Sequence, residues 1–119
     1  MARITGVGGI FFRSSDPKAL SAWYRDTLGL PIEDWGGALL NGNSGPPHVV
    51  WSPFSAGTDH FKPSTREFMI NLAVDDMDAF LAMLTAKGVQ ILGRDDQTYG
   101  KFAWIVDPDG TKIEFWQPA

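Results

Sequence analysis

Gly9-Ile10-Phe11-Phe12-Arg13-Ser14-Ser15-Asp16 and Met69-Ile70-Asn71-Leu72-Ala73-Val74-Asp75-Asp76 carry one pattern, an apolar run that ends in an acidic turn. Asp16 falls on Asp76, a shift of 60 residues (76 − 16) in a chain of 119. At that shift Ala19, Leu20, Ala22, Trp23 and Tyr24 meet Ala79, Phe80, Ala82, Met83 and Leu84, and one residue of slippage aligns Gly29 with Gly88. Two copies at so long a period do not make a solenoid; they predict a pseudo-symmetric pair of modules.

Local signals fill in each copy. Asp16 before Pro17 is an N-cap followed by proline at the first helical position, where its missing N–H costs nothing. Leu20, Trp23, Tyr24 and Leu28 then recur on one helical face, and Gly29 ends the helix. In the second copy Asp75 or Asp76 caps, Asp78 suits the positive helix end, and Phe80, Leu81 and Leu84 form the apolar stripe before Gly88. Strand candidates follow at Leu30–Asp34, Ala38–Asn41 and Val49–Trp51, then at Val89–Leu92, Phe102–Val106 and Lys112–Trp116. Asp107-Pro108-Asp109-Gly110 is a turn between the last two. Each module therefore reads βαβββ. The expected organisation is a single domain, with a first module at 1–53, a crossover at 54–67 that reads as a mobile or lid-like loop, and a second module at 68–119.

Composition sets limits on function. Hydrophobic residues make up 44% and charged residues 20%, the balance of a globular chain. The absence of cysteine excludes disulfides, zinc–thiolate sites and a thiol nucleophile. No apolar run approaches the ~20 residues of a membrane span, and the N-terminus lacks the apolar core of a secretory signal. A soluble, cytoplasmic protein is expected. A net charge of −4 with scattered Lys and Arg argues against nucleic acid as a partner. Five Trp and eight Phe exceed what a small core requires, and the excess points to a pocket lining.

The opening strand before Asp16-Pro17, followed by Trp23-Tyr24-Arg25-Asp26 and Leu28-Gly29-Leu30, resembles the first module of the vicinal oxygen chelate superfamily, which includes glyoxalases, bleomycin-resistance proteins and extradiol dioxygenases. Val74-Asp75-Asp76 through Gly88-Val89, Asp107-Pro108-Asp109-Gly110 and Ile113-Glu114-Phe115-Trp116 are similar to its second module. The resemblance covers essentially the whole chain. It implies an α+β fold of two βαβββ modules in pseudo-twofold arrangement, forming a half-open barrel that is often completed as a homodimer. It does not select among lyases, dioxygenases, isomerases and pure binders.

The resemblance also implies a divalent metal held by His, Gln or Glu on the first and last strand of each module. Here the first-strand positions are Gly9, which has no side chain, and Met69, a poor ligand for hard or borderline ions. Glu114 keeps the last-strand acid of the second module. In the first module Val49 stands opposite Glu114 if Trp51 aligns with Trp116, and His48 does so with a one-residue shift. His48 and Glu114 are thus the candidate ligands if a metal binds, one fewer than the three a catalytic metal usually takes. No cofactor is expected. Glu114 is alternatively a structural carboxylate or a general base. His60, in the crossover, is either a cover of the cavity or a surface residue.

Strand alternation puts Gly9 with Phe11, Met69 with Asn71, and Glu114 with Trp116 on shared faces. Asn71, a polar amide in an apolar strand, needs a partner when buried. Phe11, Trp51, Phe54, Asn71, Tyr99, Phe102, Trp104 and Trp116 are the candidate ligand-binding residues, the aromatic ones alternatively belonging to the core. An aromatic cavity with Asn71 and Glu114 as its polar points suits a small, partly aromatic or cationic molecule. Two readings stay open: a metal-free binding protein, or a metal-dependent or Glu114-based lyase, dioxygenase or isomerase. Exposed sheet edges and an apolar helix flank predict a homodimer.

Overall fold

The computed structural model describes residues 2–40 and 49–119. His48, one of the two candidate metal ligands, lies outside the described residues. The elements run β1 (Ile4–Ser14), α1 (Pro17–Leu28), β2 (Ala38–Leu40), β3 (Val49–Ser55), β4 (Phe68–Val74), α2 (Met77–Ala86), β5 (Gly93–Gln97), β6 (Gly100–Val106) and β7 (Lys112–Pro118). The strands form one open sheet in the order β2-β3-β1-β4-β7-β6-β5.

The two modules meet at the centre of that sheet. β1 and β4 pair antiparallel with Ile10 opposite Ile70, residues the 60-residue repeat carries onto each other. A pseudo-twofold therefore runs through that pair. On either side β1 is parallel to β3, and β4 is parallel to β7. The helices start where expected. Asp16 accepts a hydrogen bond from the Ala19 N–H and Asp76 one from the Ala79 N–H, satisfying amides that a helix leaves open. Gly29 closes α1 in the left-handed conformation, with φ at 72°.

Several expectations need correction. Leu30–Asp34 is not a strand; only Ile32 bridges to Ala38. Val89–Leu92 is not one either, and β5 begins at Gly93 instead. Asp95 and Asp96 sit on this edge strand, where Arg94 pairs with Asp96 and with Asp78. Charge on an edge strand blunts its tendency to pair with other chains. On α1 the expected apolar face is only partly covered: Tyr24 packs on Trp51, whereas Trp23 and Leu28 are exposed. In the second module Met77, Phe80, Ile105 and Phe115 form the core between α2 and the sheet, with Leu81 and Leu84 packed against it.

The crossover is a packed strap rather than a free lid. Phe61 is fully buried at 0% exposure, and the Arg13 guanidinium lies over its ring. Arg13 Nη1 also donates to the carbonyls of Ala56 and Thr58, both at 2.9 Å. Phe54, assigned to the crossover from sequence, belongs to β3.

Register decides which β3 residue is the counterpart of Glu114. Phe11 pairs with Ser52, and Asn71 pairs with Glu114. The repeat that carries Phe11 onto Asn71 thus carries Ser52 onto Glu114, rather than Val49 or His48. The same alternation sends Trp51 to the helix side, where it is 6% exposed and packs against Phe12 and Tyr24. Trp51 is core, not cavity wall. Trp51→Ala should cost about 3–5 kcal/mol in urea denaturation. A loss below about 1 kcal/mol would contradict this placement.

Candidate functional site

One row of paired residues crosses the concave face: Leu39, Val50, Gly9, Asn71, Glu114 and Trp104, each the register partner of the next. Gly9 leaves a gap in the middle of this row, and the Phe11 ring fills it. A Cβ on Gly9 would lie 2.8 Å from that ring, closer than atoms pack. The neighbouring Gly8 sits at a β-bulge between Val7 and Gly9. A Cβ there would stand 2.2 Å from Asn71 Oδ1 and 2.8 Å from the Trp116 ring. Glycine is what lets both side chains close onto β1.

Above the row lies a cavity of about 910 Å³. Of the sequence-predicted ligand-binding residues, Phe11, Phe54, Asn71, Tyr99, Phe102 and Trp116 line it, as does Glu114. Trp51 and Trp104 do not line it. Trp35, Leu39, Val50 and Ser52 complete much of the wall without having been singled out from sequence.

Glu114 is the electrostatic centre. It is 4% exposed, yet three N–H donors converge on its carboxylate. Asn71 Nδ2 donates to Oε1 at 2.7 Å, Trp104 Nε1 to Oε2 at 2.7 Å, and His60 Nε2 to Oε2 at 3.1 Å. The partner that Asn71 required is therefore Glu114. Asn71 Oδ1, buried against Gly8, has no hydrogen-bond partner among the described residues. Reversing the amide would set two acceptors 2.7 Å apart, so the carboxylate dictates its orientation.

Behind the carboxylate stand the groups that support it. The His60 ring stacks on Phe54, with centroids 5.3 Å apart and planes within 3°, and meets the edge of Trp104. Lys112 turns its ammonium to the His60 carbonyl and over the Trp104 ring. Burial pushes the Lys112 pKa below its ordinary value, while the Glu114 charge opposes that shift. His60 thus reaches Glu114 from outside the cavity, a contact spanning 54 residues of chain that no local pattern foretells.

At the two first-strand positions where the resemblance implies ligands, neither described residue offers one. Phe11 occupies the space above Gly9, and Met69 packs in an apolar cluster with Phe11 and Phe61. Among the described residues no three His, Cys, Asp or Glu side chains come together as a metal site.

Comparison with known proteins accords with this architecture. The family model for the Glyoxalase/Bleomycin resistance protein/Dioxygenase superfamily matches residues 6–115. The chain belongs to that superfamily. Comparison with curated proteins gives no match. Among solved structures, a methylmalonyl-CoA epimerase in complex with methylmalonyl-CoA and NH4+ is similar, with 17% identity and a TM-score of 0.76 over 98% of this chain and 96% of that one. The methylmalonyl-CoA epimerase from Mycobacterium tuberculosis has 22% identity and a TM-score of 0.66, covering 98% and 89%. A superfamily member from Vibrio splendidus 12B01 has 16% identity and a TM-score of 0.59, covering 98% and 99%. At these identities the likeness establishes the superfamily fold and leaves the chemistry to the site. Among the described residues no helix is long and apolar enough to cross a membrane.

Asn71→Leu should destabilise the protein by about 1–3 kcal/mol, because it strips a donor from a buried carboxylate. In a double-mutant cycle with Glu114→Gln the two changes should couple by at least ~0.5 kcal/mol. Strict additivity in chemical denaturation would show that the pair contributes nothing to the fold.

Proposed function

We propose that this superfamily member binds a small, partly aromatic molecule in the concave cavity, without the metal its relatives typically use. The observation that carries this reading is the lining: Phe11, Phe54, Tyr99, Phe102 and Trp116 surround one buried carboxylate. Aromatic walls with few polar points are how proteins hold small organic ligands. Oε2 of Glu114 already accepts from two donors and Oε1 from one, so the carboxylate retains acceptor capacity toward the cavity. That makes it an anchor for a ligand donor. The alternative is that Glu114 removes a proton from a bound substrate in a lyase- or isomerase-type reaction.

The reading requires no cofactor, nucleic acid or membrane partner, and places the protein in the cytoplasm. It also includes a homodimer. Ile10, Phe68 and Ile70 stay exposed on the helix side of the central strands, an apolar strip that a second copy could cover. Light scattering at micromolar concentration should show a dimer; a stable 13.1 kDa monomer overturns that part.

Screening aromatic small molecules by thermal shift should yield ligands that raise the melting temperature, since ~100 times the dissociation constant stabilises by about 2.7 kcal/mol. Such a ligand should saturably change the fluorescence of a variant retaining Trp116 alone. A variant retaining Trp51 alone should stay silent. Elemental analysis of the same chelator-free protein should find no near-stoichiometric divalent metal. Stoichiometric metal lost on Glu114→Ala, or ligands that perturb Trp51 and not Trp116, would overturn the proposal.

A further inference from the structure

The charge pattern of the cavity narrows the ligand class, an inference that rests on the cavity being a small-molecule site. Among the described lining residues Glu114 is the only side chain with a formal charge, and no Lys, Arg or His joins it. Like His60, which meets Glu114 at 3.1 Å, Lys112 is outside the cavity lining; it turns its ammonium to the His60 carbonyl and over the Trp104 ring. It moderates the field of Glu114 without presenting an ammonium to the cavity. Asn71, a further polar group beside the carboxylate, directs one of its amide N–H bonds to Glu114. The polar end of the cavity therefore offers acceptor capacity and negative charge.

The walls favour the same sign. Phe11, Phe54, Phe102 and Trp116 are electron-rich rings, and the faces of such rings attract cations in a desolvated site. A ligand carboxylate or phosphate would meet the Glu114 charge at low dielectric, with no cationic side chain in the cavity wall among the described residues to pair with it. A ligand ammonium or amidinium would complete the acceptor set of Oε1 by a charge-assisted hydrogen bond.

We infer that the cavity selects an organic cation: an aromatic body bearing a protonated amine or amidine that donates to Glu114. A ligand whose anionic group would sit beside Glu114 is disfavoured by the same field.

Three probes of one shape test it: 2-naphthylmethylammonium, 2-naphthalenemethanol and 2-naphthoate. Binding is followed by calorimetry and by the Trp104 indole N–H resonance, which reports on Glu114 through its hydrogen bond. The ammonium should bind about tenfold or more tightly than the alcohol, with the carboxylate weakest of all. Glu114→Gln should bring ammonium and alcohol within about threefold of each other. Lys112→Met, which leaves the cavity lining intact, should shift the preference further toward the ammonium and serves if the Glu114 variant does not fold. Equal binding of ammonium and alcohol to the unaltered protein overturns the charge selection while keeping the cavity as a binding site. Preference for the carboxylate does the same. Failure of all three probes to bind the folded protein overturns both.

Discussion

Antiparallel pairing of β1 with β4 is the constraint on which the rest of the structure depends. It joins two modules, neither with a large core of its own, into one continuous sheet. Centred on Ile10 and Ile70, it sets Gly9 beside Asn71 and Phe11 beside Met69. Every concave-face position then follows by register, outward through β3 and β2 on one side and β7, β6 and β5 on the other. A slip of one residue would turn each of these side chains to the helix face. The bulge at Gly8 belongs to the same constraint: it draws β1 toward β4 and clears room for Asn71 and Trp116.

On that frame, burying Glu114 is the main electrostatic cost. An ionised carboxylate is rarely buried unless its oxygens are well hydrogen-bonded. Here the donors come from three different places: the central strand, the neighbouring strand and the crossover strap. The strap is in turn held by Arg13 on β1 and by the buried Phe61. Fold and site are thus stabilised together, because the loop that connects the modules also supplies a donor to Glu114 in the cavity wall. The superfamily frame has been kept, while the gap at Gly9 is filled by an aromatic ring and the equivalent of Glu114 in the first module is Ser52. Pseudo-symmetry survives in the backbone and has been given up in the chemistry.

Much of this was legible in the linear sequence. The repeat, both N-caps, the glycine at the end of α1, the turn at Asp107–Gly110 and the central strands follow from local patterns, since each depends on residues within one or two turns of chain. Asn71 announced itself as a buried amide in an apolar strand, and Glu114 as the acid beside Trp116. These signals are short-range, so the sequence by itself determined two βαβββ-like modules and two polar points, Asn71 and Glu114, while their hydrogen bond to each other came from strand register.

Tertiary structure decided the rest. Trp51 looked like the counterpart of Trp116, but parity along β3 is set by its pairing with β1, and that pairing puts Trp51 under α1. The same register made Ser52, not His48 or Val49, the counterpart of Glu114. Val89–Leu92 reads as a strand by composition, yet the edge partner of β6 is the charged segment Gly93–Gln97, where backbone pairing outweighs side-chain preference. His60 carries no pattern at all, because its contact with Glu114 exists only once the strap has folded over the sheet. Local propensity fixes which segments form elements; which face a side chain takes, and which distant group it meets, is settled only by strand register and by the path of the loop between the modules.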